Sequence, residues 1–242
     1  MKKIIKKIFK PIYNFMVNPR QREIFSKSIL RYMFLPTPNR KDDILSLVMG
    51  FANFTGPKGD YLEFGVWKGG SLCAAFYQAK GKPNLQKMRF YAFDSFEGLP
   101  AVEGLDAQSD DFSKGEYACS LEGVKANLKD WGVDLNRFEF IKGWFKDTLN
   151  EETRKSLKIK TAAVVYIDSD LYESACLVLD FITPYIADGT ILIFDDWYCF
   201  KGHPDRGEQK AFKEWLEKNQ KWQATPYHQF GWMGHSFIIN EK

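Results

Sequence analysis

Along the chain, short runs of apolar residues alternate with longer stretches in which apolar positions recur every three or four residues. The short runs are "YLEFGV" (61–66), "RFYAFD" (89–94), "RFEFI" (137–141), "AAVVYID" (162–168) and "TILIFD" (190–195). They are β-branched or aromatic, lead into acidic or glycine-rich segments, and predict five core strands. Runs this uniformly apolar are covered on both faces, as in a parallel sheet between helices. Helical patterns over Ser71–Ala79, Tyr117–Trp131, Ser174–Ile186 and Glu208–Gln220 would supply that cover. The alternation is that of a doubly wound α/β domain, and the right-handed crossover rule then collects the C-terminal ends of the strands on one edge. Near the end, "WQATPYHQF" and "HSFIIN" flank "GWMG" and predict a terminal hairpin that sets an antiparallel strand at one edge of the sheet.

Length fits this picture: 242 residues suffice for one sizeable α/β domain with embellishments. The first 55 residues, broken by "LPTPNRKDD", read as a helical extension or lid, with the domain proper over 56–242. A net charge of +3, spread along the chain, lacks the footprint of a nucleic-acid binder. Four scattered cysteines, Cys73, Cys119, Cys176 and Cys199, form no C-x-x-C pair and suit a reducing, cytoplasmic setting. In residues 1–17, Ile4, Ile5, Ile8, Phe9 and Ile12 recur at helical spacing opposite Lys2, Lys3, Lys6, Lys7 and Lys10. That segment reads either as a helix lying on an anionic membrane face or as an arm packed on the domain or a second subunit, in an expected homo-oligomer.

The chemistry is concentrated where the strands end, the edge at which open α/β sheets bind ligands. After the first strand comes Glu63-Phe64-Gly65-Val66-Trp67-Lys68-Gly69-Gly70-Ser71, a glycine turn running into a helix. Such a turn lets backbone approach a ligand and offers free N–H donors, although it also serves simple helix–sheet packing. Its glycines do not match the dinucleotide fingerprint. The second strand ends at Asp94, where an acid can hold ribose hydroxyls, and "KGWFKDTL" after the third offers Trp144 and Phe145 to flank an adenine. The fourth strand ends at Asp168 and the fifth at Asp195-Asp196. One such aspartate could be a helix cap. Three together on adjacent strands call for a cation, and an all-oxygen set selects Mg2+, Mn2+ or Ca2+.

The strings "YLEFGVWKGGSL", "FDSFEGLP", "GWFKDTL", "IDSDLYES" and "FDDW", in this order between about residues 40 and 215, resemble the macrocin O-methyltransferase family of class I S-adenosylmethionine-dependent enzymes. The resemblance implies a Rossmann-like methyltransferase fold with a seven-stranded, mostly parallel sheet, an antiparallel C-terminal strand and helices on both faces. It implies magnesium-dependent methylation of a hydroxyl on a sugar or glycosylated small molecule. Carried onto this chain, Asp168, Asp195 and Asp196 become metal ligands, with Asp168 also the general base and a cofactor neighbour. Glu63, Gly65 and Ser71 would meet the methionine part of the cofactor and Asp94 its ribose, with Gly69, Gly70 and Trp144 as further cofactor-binding candidates. The insertion Ser95–Glu116, long and acidic, reads as a lid or acceptor-binding segment.

Two rivals follow from the same residues. Asp168-Ser169-Asp170 is a D-x-D pattern that could hold a metal and a nucleotide sugar in a glycosyltransferase. A methyltransferase-like domain could also serve as a non-catalytic cofactor-binding module. Of the histidines, His203 lies in the loop after the fifth strand, within reach of an acceptor, while His228 and His235 fall in the hairpin.

Overall fold

The computed structural model describes residues 41–101 and 112–242. The basic segment 1–17, most of the proposed extension and the middle of the 95–116 insertion lie outside the described residues. The described residues belong to a single compact unit. It opens with α1 (Lys41–Phe54), followed by β1 (Asp60–Phe64), α2 (Gly70–Lys80), β2 (Phe90–Asp94), α3 (Leu121–Asp130) and β3 (Phe138–Lys142). Two short helices, α4 (Phe145–Thr148) and α5 (Glu151–Ser156), lead to β4 (Ala162–Ile167), α6 (Tyr172–Ile182), β5 (Thr190–Phe194) and α7 (Gly207–Lys218). The hairpin β6 (Trp222–Phe230) and β7 (Gly234–Glu241) closes the chain.

One seven-stranded sheet takes the order β3-β2-β1-β4-β5-β7-β6. Pairs from β3 through β5 are parallel, and β7 runs antiparallel to both β5 and β6. The reversed strand therefore sits one place in from the edge, and β6 takes the edge itself. The burial explains the order: β7 buries Phe237 and Ile239, whereas β6 is largely exposed along its middle, carries Pro226 and slips register between Pro226 and Gln229. Proline and irregularity are tolerated at an edge and protect it.

Strand side chains alternate between two cores. Tyr61, Phe90, Val164, Tyr166, Ile191 and Ile193 face α1, α2 and α3, which contribute Val48, Leu72, Phe76 and Leu128. Leu62, Phe64, Phe93, Val165, Ile167, Leu192 and Phe194 face α6 and α7, with Val178, Phe181, Phe212 and Trp215. Both faces are dry, so β4 and β5 are buried at every position. Ile44, Leu45, Val48, Met49 and Ala52 of α1 are buried in the first core, so α1 covers the sheet as an integral helix of the unit. The chain leaves β1 toward β2 and β3 on one side and returns to β4 and β5 on the other, which puts the switch point of the sheet between β1 and β4.

Candidate active site

At that switch point a cavity of about 520 Å3 opens over the C-terminal ends of the strands, a size typical of small-molecule sites. Gly65, Asp94, Trp144, Asp168, Asp195 and Asp196 all line it. The parallel ladder continues past β4 and β5: Asp168 donates its N–H to Phe64 O at 2.8 Å, and Asp195 to Ile167 O at 2.9 Å. Extended strand ends thus carry the carboxylates to one place, where Asp168, Asp195 and Asp196 each present an oxygen within 4.8 Å of the other two.

The glycine turn is fitted to this spot. Gly65 has φ +89°, and a Cβ there would fall 1.8 Å from the carbonyl oxygen of Asp168. A side chain would occupy the space that brings β1 and β4 together. Asp94 holds the same turn from the other side: one carboxylate oxygen accepts the N–H groups of Val66 at 2.6 Å and Trp67 at 3.3 Å, and the other accepts that of Phe96 at 2.5 Å. Burial raises the Asp94 pKa while these hydrogen bonds oppose the rise.

Glu63, Gly69, Gly70 and Ser71 stand outside the cavity lining. Glu63 is fully buried on the α2 side of the sheet, where it accepts hydrogen bonds from Tyr61 Oη and, at 2.6 Å, from Ser71 Oγ. The pair anchors the first turn of α2 to β1. Gly69 starts that helix in the left-handed region, φ 84°, where an added Cβ would fall 3.2 Å from Val124 and 3.5 Å from Leu128, while a Cβ on Gly70 would meet nothing within 4 Å. His203 is exposed and also outside the lining, and His228 and His235 lie on β6 and β7.

The carboxylates are crowded and dry. Asp195 is buried and accepts from Tyr166 Oη at 2.6 Å, whose own pKa is pushed well up by burial and by Asp195 and Asp168. Asp196 is buried; its N–H donates to Glu208 Oε2 at 3.0 Å, and its Oδ2 has no hydrogen-bond partner. Glu208, the second residue of α7, is equally buried and leaves Oε1 unpartnered. Burial first, then neighbouring carboxylates, raise both acids well above the ordinary range. Sequence spacing gave no hint of Glu208, because α7 reaches β5 only through the fold. Trp67, Tyr117 and Asp170 are further lining residues, the last buried with φ +61°.

A divalent cation fits this donor set on physical grounds. Three carboxylate oxygens converge, one buried oxygen lacks a partner, and mutual repulsion is relieved by positive charge. An all-oxygen set without Cys or His among the three suits Mg2+, Mn2+ or Ca2+.

A five-stranded parallel core extended by a reversed seventh strand, with a cavity at the switch point, is the Rossmann-like architecture shared with O-methyltransferases. Calicheamicin methyltransferase CalS11 superposes with a TM-score of 0.67 at 22% identity, over 91% of this chain and 93% of that one. The O-methyltransferase NovP does so at 0.62 and 23%, over 84% and 80%. The chain belongs to the macrocin-O-methyltransferase (TylF) family, whose sequence profile matches residues 40–223. A tetracenomycin rhamnosyl 4'-O-methyltransferase of Streptomyces olivaceus is 37% identical over 150 residues, 59% of this chain and 54% of that protein. Mycinamicin III 3''-O-methyltransferase of Micromonospora griseorubida is 30% identical over 151 residues, 60% and 57% of the two chains. The chain thus matches little more than half the length of these relatives.

Proposed function

We propose that the chain is an S-adenosylmethionine-dependent, divalent-metal-assisted O-methyltransferase whose acceptor is a hydroxyl of a sugar, free or on a glycosylated small molecule. The observation that carries the reading is the convergence of Asp168, Asp195 and Asp196 beside the Gly65 turn in one cavity. Family membership and relatives that methylate sugars support it.

When bound, S-adenosylmethionine supplies a methyl group already activated by its sulfonium, and a divalent cation lowers the pKa of a hydroxyl it touches. The chain's own residues do the rest. Asp94 holds the Val66 and Trp67 amides in a fixed turn and lines the place where ribose hydroxyls would bind. Gly65 lines the cavity and, lacking a Cβ, lets β1 approach the Asp168 carbonyl closely enough to set that residue in the site. Trp144 and Phe145 line the same cavity after β3, with Phe145 braced edge-on against Phe64, and would flank the adenine. Asp195 and Asp196, with Asp168, would hold the cation, Tyr166 and the Asp196–Glu208 bond fixing the positions of the first two. Asp168, less buried than its two neighbours, would accept the acceptor's proton as the oxygen–methyl bond forms and the sulfur–methyl bond breaks. Alignment of oxygen, carbon and sulfur contributes the remaining acceleration.

The test is a mass-spectrometric screen of rhamnosides and other glycosides with S-adenosylmethionine and Mg2+. The expected result is a mass gain of one methylene on a sugar. Transfer of a glycosyl group from a nucleotide sugar, or cofactor binding with no methylation across the panel, would contradict the reading.

A further inference from the structure

Two aromatic residues reach the cavity by an unusual backbone route. Trp67 has φ 45° and Tyr117 has φ 59°, a left-handed conformation that bulky residues rarely adopt. With Asp170, they line the cavity that holds the carboxylates. Such strain persists only where the surroundings over-determine it, and it concentrates at functional sites. The two rings meet nearly at right angles, with centroids 5.7 Å apart and an interplanar angle of 87°. Both nevertheless remain about half exposed, at 47% and 50%. They pack on each other and on the cavity, and neither belongs to the two hydrophobic cores.

Both are held by firm backbone. The Trp67 N–H donates to Asp94, and the Lys68 ammonium lies 4.5 Å from the centre of the indole. Tyr117 follows the neck of the 95–116 insertion, where Leu99 N–H donates to Glu116 O at 2.9 Å and Gly115 N–H to Leu99 O at 3.0 Å. A Cβ on Gly98 would fall 2.7 Å from the carbonyl oxygens of Glu116 and Gly115, so the neck closes only with glycine there. Burial and then the charges of Asp170, Glu116, Asp196 and Asp168 raise the Tyr117 pKa, which places its phenol in the field of the acidic group and keeps it a hydrogen-bond donor.

A pyranose has an apolar C–H face and a rim of hydroxyls. An aromatic corner next to carboxylates complements both. We propose that Trp67 and Tyr117 form the acceptor platform, gripping one pyranose ring by its C–H face so that its hydroxyls point to Asp168, Asp195 and Asp196. This rests on the sugar O-methyltransferase reading above.

The experiment has two arms on the full-length protein with Mg2+. Steady-state kinetics with the best rhamnoside of the screen should show the acceptor KM raised at least tenfold in Trp67→Leu and in Tyr117→Leu, with the S-adenosylmethionine KM within twofold of wild type. Trp67→Phe and Tyr117→Phe, which keep a ring, should recover most of the loss. The second arm needs no turnover: saturation-transfer NMR with methyl α-L-rhamnopyranoside and S-adenosylhomocysteine. Saturating aromatic protons should light up the sugar C–H protons in wild type and not in the two leucine variants, while the nucleoside signals persist in all. Leucine variants that keep the acceptor KM and the sugar signal, or that raise the cofactor KM instead, overturn the platform alone. Wild-type protein that binds the nucleoside, shows no sugar signal and methylates no glycoside overturns the functional reading, and the platform with it.

Discussion

Replacing Gly65 by alanine is the sharpest perturbation the geometry offers. The new Cβ would lie 1.8 Å from Asp168 O and 2.9 Å from its carbonyl carbon, against an ordinary contact of 3.4 Å or more. Backbone must therefore yield by about 1.6 Å at the point where β1 and β4 meet. The left-handed φ of +89° adds a penalty of about 1–2 kcal/mol for an L residue, and overpacking adds about 1–3 kcal/mol. The combined cost of roughly 2–5 kcal/mol is a large share of a stability of order 5–15 kcal/mol. At about 2–4 °C per kcal/mol for a chain of this size, Tm should fall by at least about 4 °C. The same shift moves Asp168, and a displacement near 1 Å costs on the order of 100-fold in rate. Thermal unfolding measured beside methyl transfer checks both. A Gly65→Ala variant with wild-type Tm and wild-type turnover would refute the close approach from which the site is built.

Asp168→Asn and Asp195→Asn should each lose methyl transfer by about 10²-fold or more, while calorimetry shows S-adenosylmethionine affinity within a few-fold of wild type; equal loss of cofactor binding would reassign them to the cofactor subsite. Stability of metal-free protein should depend on pH through Asp196 and Glu208. Their folded pKa values lie well above the usual 3.8 and 4.5, so the stability their protonated forms contribute is complete below those values. It is lost as pH rises from there toward the raised values. Glu208→Gln should flatten that fall in a series of urea titrations from acid to neutral pH, and an unchanged slope would show that Glu208 does not titrate with folding.

Much of the fold was legible because its signals are local. The five strands lie where the apolar runs placed them, to within one or two residues; β4 and β5, buried on both faces, leave nearly unbroken apolar strings, whereas β3 takes a sheet edge and buries only Phe138. Helix starts were less sharp. Ser120 caps α3 by accepting the Gly123 N–H at 3.1 Å, and Tyr117 is turned left-handed, so the helix begins at Leu121, although its apolar pattern reaches back further. The order of the hairpin strands depended on cross-sheet burial of Phe237 and Ile239, which the pattern "HSFIIN" does not reveal.

The three aspartates were legible as a group because they follow two adjacent parallel strands, Asp168 after β4 and Asp195-Asp196 after β5. What no spacing could show is the tertiary company they keep. Glu63 and Ser71 read as cofactor contacts from their motif, and the fold adds what the motif does not show: Glu63 is bonded to Tyr61 and Ser71. Glu208 approaches from a helix that sequence separates from Asp196 by a whole loop, and Trp67 and Tyr117 meet from segments some fifty residues apart. Strong local periodicity locates elements; a site assembled from several of them waits on the fold.

The central claim is that a cation held by Asp168, Asp195 and Asp196 prepares a sugar hydroxyl for methylation. Its most direct test is methyl transfer to a rhamnoside by protein stripped with EDTA, assayed before and after adding Mg2+. The account predicts no mass gain before addition and full restoration after it. Undiminished transfer by the stripped protein would contradict it.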